Sequence, residues 1–157
     1  MRTFALTQLA FWLLAAPDGH AKNFSILLRQ RGRYRLSPIY DVLSAWPIVG
    51  RGPRHLHVRD VQMAMALRGT KPHRRLDTIH VTHWQQLADR AGVPGLFAAM
   101  VAMVEAVPAT LATVEPQLPS DFPSLVWERI RDGMLSQRTR FLAAVAADGS
   151  VSAGMLS

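Results

Sequence analysis

The hydrophobic pattern of the first 16 residues predicts a buried helix. Apolar side chains occupy most positions from Phe4 to Ala16, and few polar residues interrupt them. Thr3 can cap the start of such a helix, and Pro17 ends it because proline lacks a backbone N–H. A helix with so little polar surface needs to be covered by the rest of the chain. We therefore expect residues 4–16 to form a core helix.

The pattern then changes to short apolar runs separated by turn residues. Residues 24–28 are apolar except for Ser25, Gly32 lies in the turn that follows, and residues 34–36 alternate. This arrangement predicts a small β-hairpin between Asn23 and Asp41. Residues 37–52 contain two prolines and two glycines, which predicts loops and short turns.

Helical patterns dominate the second half of the chain. Thr82 is placed to cap a helix over residues 83–91 that ends at Gly92, and Pro94 begins a second run that continues to residue 107. A long helix is predicted from Asp121 to about residue 147. The apolar side chains expected on or near one face of it are Leu125, Ile130, Met134, Leu135, Phe141 and Leu142.

Residues 61–67 fit either a strand or a helix. Met63, Met65 and Leu67 alternate as in a strand, but Ala64 and Ala66 make both faces apolar. We predict a helix here. The expected fold is therefore mainly α with a small β-hairpin, in a single domain of 157 residues.

Composition and charge narrow the setting of the protein. The chain has no cysteine, which is typical of a reducing compartment, and we expect a cytoplasmic protein. The apolar stretch before Pro17 is too short to span a bilayer, and no small-residue cleavage site follows it, so neither a membrane anchor nor a signal peptide is predicted.

The net charge of +7 raises the question of nucleic-acid binding. The basic residues form two groups, at positions 29–35 and 71–75. Solvated turns explain both groups better than a phosphate-binding surface does, although that surface remains an alternative. Such charge can equally attract ATP or an acidic partner, and we expect contact with nucleic acid to be indirect only.

Three polar residues around the predicted hairpin suggest phosphoryl-transfer chemistry. Asp18 is followed five residues later by Asn23, and Asp41 comes after the hairpin. Phosphoryl transfer needs a carboxylate that orients the attacking hydroxyl and accepts its proton, a role that Asp18 suits. Magnesium prefers carboxylate and amide oxygens, which Asp41 and Asn23 offer. Because a hairpin reverses the direction of the chain, we expect Asp41 to lie opposite Asp18 and Asn23.

The sequence around these residues resembles the HipA family of bacterial serine/threonine kinases, the toxins of toxin-antitoxin pairs. The resemblance rests on DGHAKNFS at residues 18–25, YRLSP at 34–38 and YDVLSAWP at 40–47. It continues through MAMALRG at 63–69, IH at 79–80 and HW at 83–84, and becomes weaker after about residue 91.

The resemblance implies a fold like the helical C-terminal lobe of a HipA-type kinase, with ATP and Mg²⁺ as cofactors. It also implies that Asp18 is the catalytic carboxylate and that Asn23 and Asp41 bind the metal. The implied substrate is an aminoacyl-tRNA synthetase, and the implied partner is a DNA-binding antitoxin of the HipB type. Residues 1–47 would hold the catalytic loop and the metal-binding segment, and residues 48–157 the helical body.

The chain departs from ordinary protein kinases in three ways. No His-Arg pair precedes Asp18 and no Phe-Gly pair follows Asp41, as is usual for the HipA-like variant. The 17 residues before Asp18 are too few for a Gly-rich phosphate loop and a strand lysine, so we expect the N-terminal lobe to be absent and ATP binding by the chain alone to be weak. The alternative function is a catalytically silent module that binds an antitoxin or another kinase piece.

Several other side chains have open roles. Lys22 could neutralise a phosphate or order the loop, and His20 is expected to donate to a main-chain carbonyl that closes the loop. The histidine pairs at 55 and 57 and at 80 and 83 have the spacing of zinc ligands, but no further ligand completes either set, so zinc is not predicted.

Overall fold

The computed structural model describes residues 1–69 and 71–154, with side chains described as far as residue 148. The protein is mainly helical and carries two small antiparallel sheets. The helices are α1 (Arg2–Leu14), α2 (Val81–Ala91), α3 (Leu96–Glu105), α4 (Val107–Val114) and α5 (Ser124–Gly154). The strands are β1 (Ile26–Leu28), β2 (Tyr34–Leu36), β3 (Gln62–Arg68) and β4 (Pro72–Arg75).

Helix α1 lies in the middle of the protein, as the apolar pattern of residues 4–16 predicted. Leu9 and Trp12 are almost completely buried, and the side chains around them share that burial. The helix begins and ends two residues before the predicted bounds. Thr3 lies within the first turn and does not cap it, while Ala15 ends the helix in the left-handed conformation, at φ 49°.

Helix α5 packs against α1. The Trp12 ring packs edge-on against Trp84 of α2, with 5.9 Å between ring centroids, and lies 6.2 Å from Phe141 of α5. Gln137 of α5 donates its side-chain amide to the carbonyl of Trp12 at 3.4 Å. The two long helices and α2 therefore share one aromatic core.

Arg140 of α5 is partly withdrawn from water in the same core. Its guanidinium lies 5.3 Å from the centroid of the Trp12 ring and donates to the carbonyls of Leu76 and Ile79. Burial lowers the pKa of Arg140, and the charge of Asp77 partly opposes this effect. A buried guanidinium with carbonyl acceptors and an aromatic face replaces part of its lost hydration.

Residues 61–67 form strand β3 and its entry, so the predicted helix is wrong. Val61, Met63 and Leu67 alternate into the core, and the strand pairs with β4 in the register Leu67↔His73 and Arg68↔Pro72. The register shifts between Gln62 and Leu67, which marks a bulge. Hydrogen bonds to β4 decide the conformation, and they are not visible in the sequence of residues 61–67, whose alternation fits a strand but does not exclude a helix.

The boundaries of the later helices differ from the predicted ones. Helix α2 ends at Gly92 in the left-handed conformation, as expected, but His80 rather than Thr82 occupies its N-cap. The predicted run to residue 107 is broken at Ala106, and Pro108 lies in the first turn of α4. In α5, Phe141 is buried as expected, whereas Leu125 is 63% exposed and does not belong to the core.

Within the part of the chain that the structure describes, no single helix is both long and apolar enough to cross a membrane. Helix α3 and the segment Val107–Gln117 reach that length only together, as a pair bent by 51°. Their apolar positions Met100 and Val104 are fully buried against the rest of the protein.

Candidate functional site

The loop that follows α1 lies directly on the helix. Gly19 is buried against the ring of Phe11, and a Cβ at this position would lie 2.6 Å from Phe11 Cε2 and 2.9 Å from Phe11 Cγ. Phe24, after the loop, packs edge-on against the same ring at 6.1 Å. Since no larger residue fits at position 19, the close approach of the loop to Phe11 fixes the position of Asp18 beside it.

Asn23 joins the two carboxylate-bearing segments. Its side chain is 4% exposed, and its Nδ2 donates to the main-chain oxygen of Asp18 at 2.9 Å and to that of Asp41 at 3.4 Å. Both donor positions of the amide are therefore occupied by carbonyl oxygens, which leaves Oδ1 as an acceptor. The structure thus brings Asp18, Asn23 and Asp41 together, as the sequence predicted.

Asp41 has an unusual backbone conformation, with φ at 57°. A left-handed conformation is uncommon for residues other than glycine, although aspartate tolerates it better than most. The neighbouring Tyr40 holds this conformation in place, since its hydroxyl donates to the carbonyl of Lys22 at 3.1 Å and lies 2.8 Å from Ser25 Oγ. The phenol has a single proton, so the Ser25 hydroxyl donates to it.

The carboxylate of Asp18 is partly open to solvent and has two basic neighbours. Its Oδ1 lies 3.2 Å from His20 Nε2 and 3.9 Å from Lys22 Nζ, and its side chain is 44% exposed. The partner of His20 is therefore this carboxylate and not the main-chain carbonyl expected from the sequence. Lys22 is 68% exposed, which leaves its ammonium group accessible to an anion in the same opening.

The segment after Asp41 is anchored to the end of α1. Ser44 Oγ donates to the carbonyl of Leu14 at 2.6 Å, and Trp46 Nε1 donates to that of Leu13 at 2.9 Å. The amide of Ala45 donates to the carbonyl of Ala15 at 3.0 Å. These bonds satisfy carbonyls that the end of a helix leaves without partners, and they fix Asp41 relative to α1.

Sequence reasoning missed the structural roles of Tyr40, Ser44 and Trp46. All three lie within YDVLSAWP, so the motif included them, but their hydrogen bonds span 15 to 33 residues along the chain. The signal was the presence of hydroxyl and indole groups within five residues of Asp41. Such side chains commonly orient the residues that carry chemistry.

Three of the remaining histidines, His73, His80 and His83, form a cluster at the start of α2, whereas His57 accepts a hydrogen bond from the main-chain N–H of Arg59. The rings of His73 and His83 stack with 3.8 Å between centroids, and the main-chain N–H of His80 donates to Nδ1 of His83 at 3.0 Å. Burial, followed by the charges of His73 and His80, lowers the pKa of His83. Across residues 1–69 and 71–154, no group of three or more His, Cys, Asp or Glu is arranged to hold a metal ion by itself.

Comparison with known families identifies one matching family. The model of one family, described as the HipA-like C-terminal domain, matches residues 1–113. The matched range contains α1, both sheets and the whole site around Asn23. Helix α5 lies outside it.

Proposed function

Because the chain belongs to the HipA-like C-terminal domain family, we propose that it supplies the catalytic carboxylate and the metal ligands of a serine/threonine protein kinase. The kinase would transfer the γ-phosphoryl group of ATP to a hydroxyl of a protein substrate. The observation that carries this proposal is the bridge made by Asn23, whose amide holds the main chains of Asp18 and Asp41 at one site.

In this proposal Asp18 acts on the substrate hydroxyl. Its half-open carboxylate would accept a hydrogen bond from the serine or threonine and then its proton, while the hydroxyl oxygen bonds to the γ-phosphorus and ADP leaves. His20 Nε2, 3.2 Å from Asp18 Oδ1, would hold the carboxylate in one rotamer and leave its second oxygen for the substrate. The exposed ammonium of Lys22 would attract a phosphate.

The residues present fit a magnesium ion that is held together with nucleotide phosphates. Asn23 Oδ1 and the carboxylate of Asp41 are hard oxygen ligands, and a pair of protein ligands completed by phosphates and water is the usual arrangement for this ion. When bound, Mg²⁺ would neutralise charge on the phosphates. The two donor bonds of Asn23 Nδ2 keep its oxygen from rotating away.

The cellular role rests on family resemblance. We propose that the protein belongs to a cytoplasmic toxin-antitoxin pair, with an aminoacyl-tRNA synthetase as substrate and a HipB-like antitoxin as partner. A Gly-rich loop and a strand lysine ordinarily hold the phosphates in kinases, and they would come from a nucleotide-binding lobe.

The test is transfer of labelled phosphate from ATP to a protein substrate, with residues 1–157 assayed alone and with a nucleotide-binding lobe of a HipA-type kinase added. We expect transfer only in the mixture, because positioning of the phosphates supplies most of the catalysis. Asp41→Ala should abolish transfer, and Asn23→Ala should impair it most at limiting magnesium. Asp89→Ala, an exposed aspartate on α2, is the matched control and should change nothing.

Full activity of Asp41→Ala would refute the assignment of the metal ligands. Binding of the added lobe without any transfer would favour the alternative function, a protein-binding module that has no turnover. Transfer by residues 1–157 alone that Asp18→Ala abolishes would support the kinase and refute the need for a separate lobe.

A further inference from the structure

The hairpin formed by β1 and β2 has one apolar face and one basic face. The strands pair in the register Ile26↔Leu36 and Leu28↔Tyr34. Residues directly opposite each other, and residues two apart along a strand, point to the same side of a sheet. The side chains of Ile26, Leu28, Tyr34 and Leu36 therefore form one face, which we call the hairpin face.

The hairpin face is open to solvent. Leu28 is 84% exposed, Tyr34 73% and Ile26 58%, while Leu36 is 36% exposed. An isolated two-stranded hairpin is only marginally stable in water, and a contiguous group of exposed apolar residues usually marks an interaction surface. The hairpin therefore lacks the cover that its sequence requires.

The other side of the hairpin is strongly basic. Arg29, Arg33 and Arg35 lie on this side together with Leu27, and Arg31 lies in the turn between the strands. No aspartate or glutamate occurs anywhere between Asp18 and Asp41. None of the four arginines takes part in an ion pair with any other residue that the structure describes. A second copy of this chain is disfavoured as the occupant, because two such hairpins would repel each other.

Strand β1 also has a free edge. Hydrogen bonds from Ser37 N to Ser25 O and from Arg29 N to Arg33 O show that the odd-numbered residues of β1 pair with β2. The N–H and C=O groups of Ile26 and Leu28 therefore point away from β2. Outward main-chain groups beside apolar side chains can accept a further strand.

We propose that this hairpin is a docking site for an extended protein segment that adds to the edge of β1. Apolar side chains of the segment would cover the hairpin face, and its alternate residues would be acidic and pair with the arginines on the opposite side. A nucleic acid would satisfy the arginines but would leave Ile26 and Leu28 exposed. The inference uses none of the residues assigned to phosphoryl transfer and holds whether or not the protein is a kinase.

The test measures fluorescence anisotropy of a labelled ten-residue peptide of alternating glutamate and valine. The comparison probes are a lysine-valine peptide of the same length and a single-stranded DNA of 20 nucleotides. We expect the acidic peptide to bind most tightly, with affinity that falls as salt is added. Main-chain amide shifts in labelled protein should concentrate in residues 26–36.

Two variants at exposed positions separate the two parts of the surface. Leu28→Ser should weaken binding about tenfold, the loss expected when the cover of one leucine is removed. Arg35→Glu should weaken it and reduce its salt dependence. Leu125→Ser, which changes another well exposed leucine, and Arg90→Glu on α2 are the matched controls. All four residues are exposed, so each variant should fold, and thermal unfolding is the check.

Equal binding by Leu28→Ser and by Leu125→Ser would overturn the proposal, as would the absence of peptide binding. Tighter binding of the DNA than of the acidic peptide would assign the hairpin to nucleic acid instead. Amide shifts confined to residues outside 26–36 would show that the peptide binds elsewhere and would also refute the docking site.

Discussion

Substitution of Gly19 by alanine tests whether packing of the loop on α1 positions the site. The new Cβ would lie 2.6 Å from Phe11 Cε2, where ordinary contacts begin at 3.4 Å. The Phe11 ring is 2% exposed and also packs against Phe24, so it has little freedom to move away. The loop that carries Asp18 must therefore shift by roughly 1 Å, since close-packed interiors do not absorb the added atom.

Two opposing effects set the size of the change in stability. Overpacking of a core costs about 1–3 kcal/mol. Gly19 does not have positive φ, so alanine also restricts the unfolded chain, which stabilises the protein by about 0.4–1 kcal/mol. Steric overlap is the larger effect, and we expect a net loss of about 1–2 kcal/mol, or about 2–4 °C in Tm for each kcal/mol. In the phosphate-transfer assay proposed above, a displacement of about 1 Å should lower the rate about a hundredfold.

The assay is urea unfolding of four proteins: the parent, Gly19→Ala, Phe11→Leu and the double variant. Leucine at position 11 leaves room for the new methyl group, so Gly19→Ala should cost much less in that background. A coupling free energy of about 1 kcal/mol between the two changes is expected for residues in contact. Strictly additive losses, or an increase in stability for Gly19→Ala alone, would refute the packing argument.

Two further predictions concern the hydroxyl of Tyr40 and the imidazole of His83. Tyr40→Phe removes the hydroxyl that contacts Ser25, so it should lower the free energy of unfolding in urea by about 1 kcal/mol and weaken Mn²⁺ binding. Tyr34→Phe, at an exposed tyrosine, is the control. Equal effects of the two changes would contradict the prediction. Since burial first, and then two nearby imidazoles, lower the pKa of His83, the unfolded chain binds more protons than the folded one on acidification. The free energy of unfolding should therefore fall as the pH drops below about 6.5, and His83→Gln should flatten that dependence in urea titrations from pH 7.5 to 5; an unchanged slope would argue against it.

The sequence was sufficient for features that depend on local pattern and fixed spacing. The buried first helix, the hairpin and the meeting of Asp18, Asn23 and Asp41 all follow from periodicity, turn residues and a short motif. The mainly helical fold was also predicted correctly. In these cases the residues that determine the structure lie within one short stretch of the chain, the longest of which runs from Asp18 to Asp41.

Features that depend on strand pairing or on the choice of a side-chain partner were not predicted. The second sheet was missed because residues 61–67 become a strand only when β4 pairs with them. His80 rather than Thr82 caps α2 because His80 and His83 cap each other reciprocally, a pairing that ordinary capping preferences do not include. The predicted main-chain partner of His20 was also wrong, because His20 Nε2 lies beside the carboxylate of Asp18 instead.

Helix α5 shows that the matched family domain and the folding unit are not the same. The family match ends at residue 113, yet the ring of Trp46, five residues after Asp41, packs onto Gly133, where a Cβ would lie 2.5 Å from Trp46 Cε2. Phe141 and Gln137 complete the surroundings of Trp12 in the same way. A chain shortened to the matched residues would lose one wall of its core, so the site depends structurally on a helix that contributes none of the residues around Asn23.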